Sequence, residues 1–212
     1  MTFEPAITVV IPTFNRATLL PRALKSLRAQ TRHDWECVIV DDGSTDDTQT
    51  VLTTADLDER IRIVRTPNRG PSQARNSGIA LANAPLIAFL DSDDEHEPHH
   101  LAYRIAQHQA DSTLMLAFGG TRVVGDEWVR DFYDPTQLVH ASECTLTISF
   151  TVRTEFLRSL GGFDPSISFG EDADLRDRAL LAAPLGVRRV SEVTSVWHRG
   201  HTDSLTYQAT LH

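Results

Sequence analysis

Short apolar runs alternate with helical patterns along the first half of the chain, and this alternation restricts the fold more than any other feature. Four such runs are predicted to be buried strands: 7–11, 35–40, 61–64 and 86–90. The segments between them read as helices, such as the one in which apolar residues recur at 19, 20, 23, 24 and 27. Strands that alternate with helices form mostly parallel sheets covered on both faces. We therefore predict an α/β fold with a doubly wound sheet.

The ends of the early elements are predicted from proline and from capping residues. Pro12 is expected to end the first strand. Thr18 is expected to cap the first helix, because Pro21 is tolerated only in a first turn. Ser44 and Asp47 are spaced like a capping box in front of the second helix.

The second half of the chain is less regular. Its predicted strands lie within 114–119, 123–129, 144–152 and 187–197, and its predicted helices are 98–109, 154–160 and 171–181. Gly161-Gly162 and Pro184 are typical helix ends. No linker composition separates the two halves, so we predict a single domain over residues 1–212.

Composition excludes several classes of protein. The formal net charge of −9 disfavours nucleic-acid binding, which needs a basic face. No apolar run is long enough to span a bilayer, and the first residues lack the pattern of a signal peptide, so we expect a cytoplasmic protein. Cys37 and Cys144 have no metal-ligand spacing, and Cys37 is expected to be a buried apolar residue.

Polar clusters follow the predicted strands, at the edge where open α/β sheets bind their ligands. They are Pro12 to Arg16, Asp41 to Ser44 and Asp91 to Asp94, and a fourth cluster, Arg75 to Gly78, lies on a helix. The Arg75 guanidinium could reach a phosphate or a base edge. The sequence contains neither a P-loop nor a dinucleotide-binding glycine pattern, so those two classes of nucleotide site are not supported.

The acidic cluster after the fourth strand indicates a cation. Asp91, Asp93 and Asp94 are three carboxylates within four residues, and they repel one another unless a positive charge lies between them. Mg²⁺ and Mn²⁺ prefer such oxygen ligands. The same acids could instead cap the helix expected from Pro98, because a helix dipole favours negative charge at its N-terminus. The residues alone leave both interpretations open.

Three further groups also have two interpretations each. Asp42 begins a common Asp-Gly turn, and it could equally accept hydrogen bonds from a ribose or a base. Glu171 and Asp172 could complement a helix dipole, or one of them could be a general base for a substrate hydroxyl. His198 and His201 could be structural, or one could contact a metal or a phosphate.

Taken in order, these clusters resemble family-2 glycosyltransferases of the GT-A fold, over residues 6–206. The matching segments are Pro12-Thr13-Phe14-Asn15-Arg16, Val38 to Thr48, Asn68-Arg69-Gly70, Ala74 to Gly78, Ile87 to Asp94, Gly161 to Asp164 and Glu171-Asp172. The resemblance implies a Rossmann-like, mostly parallel sheet and a smaller mixed region. Residues 1–110 would then form the half that binds a nucleotide sugar, and residues 111–212 the half that binds the acceptor.

The resemblance also implies a role for each matching residue. The nucleotide would contact Pro12, Thr13, Asn15, Arg16, Asp42, Arg75, Asp91 and Ser92, with Asp42 on the base. Asp91-Ser92-Asp93 is similar to the family's DxD motif, so Asp93, with Asp94 and His201, is expected to hold a divalent ion, Mn²⁺ or Mg²⁺. Asp172 is the expected catalytic base and Glu171 its neighbour. His198 stands where the family has an aromatic residue, so His201 is the preferred ligand of the two histidines.

The activity implied by the resemblance is metal-dependent, inverting transfer of a sugar from a nucleotide sugar to an acceptor hydroxyl. UDP-sugars are the most common donors in the family, and the acceptor would be a carbohydrate or a lipid-linked molecule. Synthesis of a polysaccharide, a glycolipid or a cell-envelope glycan would suit such a protein, as would peripheral association with the inner face of a membrane. The alternatives are a nucleotidyltransferase, which would need a glycine-rich basic phosphate loop, and a non-catalytic module that binds nucleotide sugars.

Overall fold

The computed structural model describes residues 4–55, 58–125, 128–130, 137–140, 149–167 and 170–199. The first half contains β1 (Ile7–Thr13), α1 (Leu20–Arg28), β2 (Trp35–Asp41), α2 (Thr48–Thr54), β3 (Ile61–Arg65), α3 (Pro71–Leu81), β4 (Leu86–Phe89), β5 (Glu95–His96) and α4 (His100–Ala110). The second half contains β6 (Leu116–Phe118), β7 (Thr121–Val124), β8 (Trp128–Arg130), β9 (Leu138–His140), β10 (Thr151–Arg153), α5 (Thr154–Ser159), α6 (Glu171–Ala182), β11 (Val187–Arg189) and β12 (Ser195–His198).

The central sheet has seven strands in the order β11-β6-β10-β4-β1-β2-β3. Every neighbouring pair is parallel except the two that contain β10, which runs antiparallel to β4 and to β6. Successive strand residues point to opposite sides of the sheet, so both faces carry apolar side chains, and helices cover both of them. Val9 packs in an apolar cluster with α1 and α4, whereas Val10 packs in one with α3, α5 and α6. The predicted doubly wound α/β sheet is confirmed.

Two smaller sheets accompany the central one. A mixed three-stranded sheet has the order β5-β12-β7, with β12 antiparallel to β5 and parallel to β7. The pair β8-β9 forms a separate antiparallel ribbon. Because β5 directly follows the acidic cluster, the mixed sheet places the end of β12 beside that cluster.

The prediction that Pro12 ends the first strand is wrong. β1 runs to Thr13, and Pro12 pairs in register with Val40 of β2. The Thr13 carbonyl accepts the Asp42 N–H on the β2 side, so Pro12 faces the opposite side, where pairing with β4 stops at Val10. A proline is tolerated there because its missing N–H has no ladder partner to lose.

The predicted helix caps are also wrong. The residue before α1 is Leu19 rather than Thr18, and it makes no side-chain cap hydrogen bond, although Pro21 does lie in the first turn. Ser44 does not cap α2, because its hydroxyl accepts the Asn15 N–H at 2.9 Å instead. The Ser44 hydroxyl, which the local sequence pattern assigned to the cap of α2, therefore takes part in a contact between two loops.

Other predictions about single elements have mixed outcomes. Cys37 is buried as expected, and burial raises the pKa of its thiol. Of the predicted strand 144–152, the part from 144 to 148 lies outside the described residues, as does Cys144. Within the described part of the chain, no helix combines the length and apolar character needed to cross a bilayer.

Gly78 is the point where α3 contacts the sheet most closely, and Gly78→Ala is expected to destabilise the fold by about 1–3 kcal/mol. An added Cβ would lie 2.4 Å from Cγ1 and 3.0 Å from Cγ2 of Val10, which is fully buried. Urea unfolding would measure the loss. Ala80→Ser, on the exposed side of the same helix, should change stability by less than about 0.5 kcal/mol. If the Gly78→Ala, Val10→Ala double variant lost as much stability as the two single variants together, the added methyl group and the Val10 side chain would not collide.

Candidate functional site

An acidic loop directly follows β4 at the carboxyl end of the central sheet. One carboxylate oxygen from each of Asp91, Asp93 and Asp94 lies within 4.8 Å of the other two. The three side chains are partly buried, and burial together with the charges of Asp93 and Asp91 raises the pKa of Asp94 well above its ordinary value. A divalent cation among these oxygens would relieve that repulsion, and an all-oxygen donor set suits Mg²⁺ or Mn²⁺.

The alternative that these acids cap a helix is not supported. α4 begins only at His100, its cap residue is His99, and its first turn contains no acid. The strand β5 lies between the acidic loop and that helix. The three carboxylates therefore do not lie in the first turn of α4.

Arg75 connects the acidic loop to the second half of the chain. Its guanidinium donates to Asp91 at 2.9 Å and to Glu171 at 2.7 Å, and only 4% of the side chain is exposed. Burial lowers the pKa of this guanidinium, but the charges of Asp91 and Glu171 raise it by more, so the net shift is upward. Its Nε has no hydrogen-bond partner among the described residues. Arg75 thus places a permanent positive charge beside the three acids.

Two further arginines approach the acidic loop. The Nε of Arg16 lies 3.9 Å from a carboxylate oxygen of Asp93. Arg22, on α1, donates from Nη2 to the backbone carbonyl of Asp93. Its charge lowers the pKa of Asp94 and so opposes the effects of burial, Asp93 and Asp91. The sequence analysis missed Arg22 because nothing in a helical pattern shows which exposed-face residue turns towards a distant loop.

The end of β12 is attached to the acidic loop by His198. Its backbone N–H donates to Asp94 at 2.9 Å, and its Nε2 lies 2.5 Å from a carboxylate oxygen of Glu95. The Glu95–His198 pair is a second feature that the sequence analysis missed. His201, the preferred metal ligand of the two histidines, lies outside the described residues.

Asp42 holds the loop that precedes α3. Its carboxylate accepts the backbone N–H groups of Arg69 at 3.1 Å and Gly70 at 2.8 Å, and the Thr66 hydroxyl at 3.1 Å. The residue is buried at the carboxyl end of β2. These contacts show that Asp42 is more than a turn former, and they fix its carboxylate at the edge of the sheet where the nucleotide is expected.

Asn15 and Arg16 join the loop after β1 to the loop after β2. Asn15 adopts a φ of 52°, and its side-chain oxygen accepts the Thr45 N–H at 2.8 Å. The backbone N–H of Arg16 donates to the Thr48 hydroxyl at 2.8 Å. The predicted nucleotide residues of these two loops therefore form one surface.

The remaining predicted nucleotide residues lie on the same edge of the sheet. Thr13 is buried at the end of β1, and its hydroxyl has no hydrogen-bond partner among the described residues. Pro12 precedes it in the strand, and Ser92 is buried within the acidic loop. A buried hydroxyl without a partner is costly, so the Thr13 side chain is suited to meet a polar ligand group.

The glycine pair before Phe163 is tied to α3 by a two-way contact. The Asn76 side chain donates to the Phe163 carbonyl at 2.8 Å and accepts the Phe163 N–H at 2.9 Å. Gly162 has a φ of 71°, and a Cβ there would lie 2.4 Å from the Asn76 side-chain oxygen. This contact fixes the segment leading to α6 against the helix that carries Arg75.

Asp172 is a buried carboxyl in the first turn of α6. It accepts the Ala173 N–H at 2.9 Å, and burial followed by the charge of Glu171 raises its pKa to about 6. Glu171 is instead held by Arg75. Both acids do lie at the helix N-terminus, so dipole complementarity contributes. Their surroundings nevertheless differ. Glu171 is held in an ion pair, whereas the Asp172 carboxylate is able to exchange a proton near neutral pH.

A buried polar layer supports the mixed sheet behind the acidic loop. The rings of His96 and His100 stack with centroids 3.7 Å apart, and burial lowers the pKa of His96 to about 3. Arg104 is fully buried, and it donates to the Gly119 carbonyl and to the Ser149 hydroxyl. Burial lowers its pKa to about 10. These side chains fix the position of β5 and hence of the loop before it.

Comparison with known families identifies one match. The sequence profile of the family described as "Glycosyl transferase family 2" matches residues 8–164. The match contains the acidic loop, the Asp42 turn and Arg75, and it ends before α6.

Two curated relatives match part of the chain. A validoxylamine A glucosyltransferase of Streptomyces hygroscopicus subsp. jinggangensis is 40% identical over 54% of this chain and 28% of its own length. A GalNAc(5)-diNAcBac-PP-undecaprenol beta-1,3-glucosyltransferase of Campylobacter jejuni is 39% identical over 43% of this chain and 30% of its own. The chain therefore spans less than a third of the length of these relatives.

Solved structures share the fold over nearly the whole chain. S. aureus TarS 1–349 in complex with UDP-GlcNAc has a TM-score of 0.79 and 22% identity, covering 96% of this chain and 60% of that one. The mannosyltransferase PcManGT of Pyrobaculum calidifontis, in complex with GDP-Man and Mn²⁺, has a TM-score of 0.72 and 24% identity, covering 99% and 60%.

Proposed function

Because the chain belongs to glycosyltransferase family 2, with a GT-A fold similar to that of its solved neighbours, we propose that it transfers a sugar from a nucleotide sugar to an acceptor hydroxyl with inversion. One observation carries the proposal. Arg75 joins the acidic loop, through Asp91, to Glu171, the residue before the buried Asp172. A candidate cation site and a candidate base are thereby held in one connected arrangement.

The donor is proposed to lie along the carboxyl ends of β1, β2 and β4. Asp42 would accept from the base, and the Thr13 hydroxyl would meet the partner it lacks among the described residues. Arg75 would contribute positive charge beside the diphosphate. Support comes from the structural neighbours, which bind UDP-GlcNAc or GDP-Man at a similar fold. A UDP-sugar is the proposed donor class.

Asp93 and Asp94, with His201, are the residues proposed to hold a divalent ion, Mn²⁺ or Mg²⁺. The cluster of three carboxylates and the raised pKa of Asp94 fit such a group, because a cation would remove the cost of placing these charges together. When bound, the ion supplies Lewis-acid stabilisation to the diphosphate leaving group. The Mn²⁺ in PcManGT supports the choice of ion.

Asp172 is proposed to take the proton from the acceptor hydroxyl as its oxygen attacks the anomeric carbon. The pKa of about 6 leaves the carboxylate ionised at neutral pH, yet close enough to that pH to accept a proton. A single displacement from the face opposite the leaving group inverts the anomeric configuration. Glu171 would keep Arg75 in place rather than act as a second base.

The acceptor is proposed to be a carbohydrate or a lipid-linked molecule. The names of the two curated relatives support these classes, since one names validoxylamine A and the other an undecaprenol-linked glycan. Work in the cytoplasm, with peripheral docking at the inner face of a membrane, would suit a lipid-linked acceptor in polysaccharide, glycolipid or cell-envelope glycan synthesis.

Calorimetric titration with UDP, GDP and dTDP, each with and without Mn²⁺, tests the donor site. We expect one nucleotide to bind more tightly with Mn²⁺, and Asp93→Ala to lose at least about tenfold of that Mn²⁺-dependent affinity. Asp177→Ala, which removes a half-exposed acid on α6 paired with Arg176, is the matched control and should bind like the parent. Equal binding with and without Mn²⁺ for all three nucleotides would remove the metal from the proposal.

A further inference from the structure

An exposed tryptophan lies on the ribbon formed by β8 and β9. Trp128 is 55% exposed, and among the exposed large apolar residues of the described chain the only other aromatic is Phe14, at 39%. Trp35, by contrast, is fully buried in the core. A ligand that covers this aromatic surface would recover the free energy that its exposure to water costs.

The Trp128 ring is held in a defined orientation. It lies opposite His140 in the antiparallel register of β8 and β9. The two rings are 5.6 Å apart at their centroids and inclined at 89°, an edge-to-face arrangement that aromatic pairs favour. A perpendicular partner supports the indole while more than half of the side chain stays accessible. An oriented aromatic surface of this kind costs little entropy when a ligand covers it.

The ribbon starts near the acidic loop. At the end of β7, Val124 pairs with His198, whose backbone N–H donates to Asp94. Trp128 follows Val124 by four residues, so its Cα lies within about 14 Å of the Val124 Cα even in a fully extended chain. The acceptor must enter beside the same loop, because the reacting hydroxyl has to meet the sugar of the donor.

We propose that Trp128 is a stacking platform for a pyranose ring of the acceptor. This inference rests on the proposed function and adds a residue that recognises the acceptor. The axial C–H groups of a pyranose form an apolar face that can cover an indole, while the sugar hydroxyls remain in water or bond to polar groups at the rim. A glycan acceptor would bind with a sugar ring on Trp128, and under the proposed function its attacking hydroxyl is the one that Asp172 deprotonates.

Indole N–H resonances give a direct test, because the chain has only three tryptophans. Methyl β-D-glucopyranoside, methyl β-D-galactopyranoside and methyl N-acetyl-β-D-glucosaminide would each be titrated into ¹⁵N-labelled protein, with Trp128→Phe to assign the signal. We expect at least one pyranoside to shift the Trp128 signal in a saturable way and to leave that of buried Trp35 in place. Glycerol, a polyol without a ring face, should shift neither.

The same measurement separates the platform from other outcomes. Absence of a Trp128 shift with every pyranoside, or an equal shift with glycerol, would overturn the platform, as would a response only to phosphatidylglycerol vesicles. These results do not depend on the nucleotide titration. If none of the three nucleotides bound, with or without Mn²⁺, while the pyranoside shift remained, the transferase proposal would fall and the sugar site would stand.

With an acceptor in hand, the steady-state kinetics provide a second readout. Trp128→Ala should raise the KM for the acceptor at least about tenfold, equivalent to about 1.4 kcal/mol, with nucleotide affinity retained. Trp128→Tyr should recover most of the loss, because it restores an aromatic face. Leu181→Ala, which removes another exposed apolar side chain, is the matched control and should leave the acceptor KM unchanged. An acceptor KM for Trp128→Ala within twofold of the parent would overturn the proposal.

Discussion

Asp172→Asn is expected to lower kcat for sugar transfer by about 10²–10⁴-fold, the usual contribution of a general base. Asparagine keeps the shape of the side chain, but it cannot accept the proton of the attacking hydroxyl. Affinity for the nucleotide and for Mn²⁺ should be retained, because the Asp172 carboxylate accepts the Ala173 N–H and does not bond to the described residues of the acidic loop. Initial rates with a matched donor and acceptor, alongside nucleotide titration, would separate the two effects.

The pH dependence of transfer gives the same residue a second test. Burial and the charge of Glu171 raise the pKa of Asp172 to about 6, and the base acts in its ionised form. We therefore expect kcat/KM to rise as the pH increases through about 6 and to level off above about 7. The residual activity of Asp172→Asn should lack this rise.

The raised pKa of Asp172 also has a defined effect on stability. A carboxyl whose pKa is higher in the folded than in the unfolded chain binds more protons when folded, so stability falls as the pH rises from about 4 to about 6. At neutral pH the ionised carboxylate costs at most about 3 kcal/mol for a shift of this size. Asp172→Asn should thus be at least as stable as the parent in urea at pH 7.

The matched control for Asp172→Asn is Asp177→Asn on the same helix. Asp177 is half-exposed and pairs with Arg176, away from the Arg75 ion pairs. Its variant should retain near-parent rates and the same pH profile. Transfer by Asp172→Asn within tenfold of the parent would rule out Asp172 as the base, and Glu171→Gln would then be the variant to compare.

Arg75→Met is expected to destabilise the fold by about 3–5 kcal/mol and to abolish nucleotide binding. The substitution removes the cation between Asp91 and Glu171, whose side chains are only 22% and 12% exposed. Two poorly hydrated carboxylates would then face each other next to Asp93 and Asp94. Urea unfolding at pH 7 measures the stability loss.

Two further variants keep the Arg75 prediction testable if the methionine protein folds poorly. Arg75→Lys retains the charge but not the fork that bonds two carboxylates at once, so an intermediate loss is expected. Arg122→Met removes an exposed arginine that pairs with Glu97, and it should cost less than about 1 kcal/mol. If Arg75→Met and Arg122→Met had equal effects, the buried arginine would not be what holds the two halves of the site together.

The sequence predicted those parts of the fold that rest on local pattern. The apolar runs of β1, β2 and β4 are long enough to specify buried parallel strands, and the acidic loop follows β4 as expected. β10 was placed only within a longer predicted strand, because three residues carry no periodicity that separates them from a loop. Its antiparallel direction depends on the path of the chain between distant elements, which no short pattern encodes.

The candidate site was predictable to a similar degree. The order of the motifs along the chain indicated the acids and Arg75, because each of these motifs is a short run of consecutive residues. The Glu95–His198 pair joins residues 103 positions apart, and the Arg22–Asp93 contact joins residues 71 positions apart, so both depend on tertiary packing. The individual nucleotide contacts and the base assignment stay predictions, and His201 lies outside the described residues.

The buried layer formed by His96, His100 and Arg104 limits how this protein could be redesigned. Each of the three side chains fills space next to the other two. Four of their polar atoms already lack a hydrogen-bond partner among the described residues: Nε and Nη1 of Arg104, Nδ1 of His96 and Nε2 of His100. Replacing one member alone would leave further buried polar atoms unpaired, whereas an apolar set of similar volume could replace all three together. Directed evolution by single steps is therefore expected to leave these three residues unchanged, and new acceptor preferences would have to arise elsewhere on the domain.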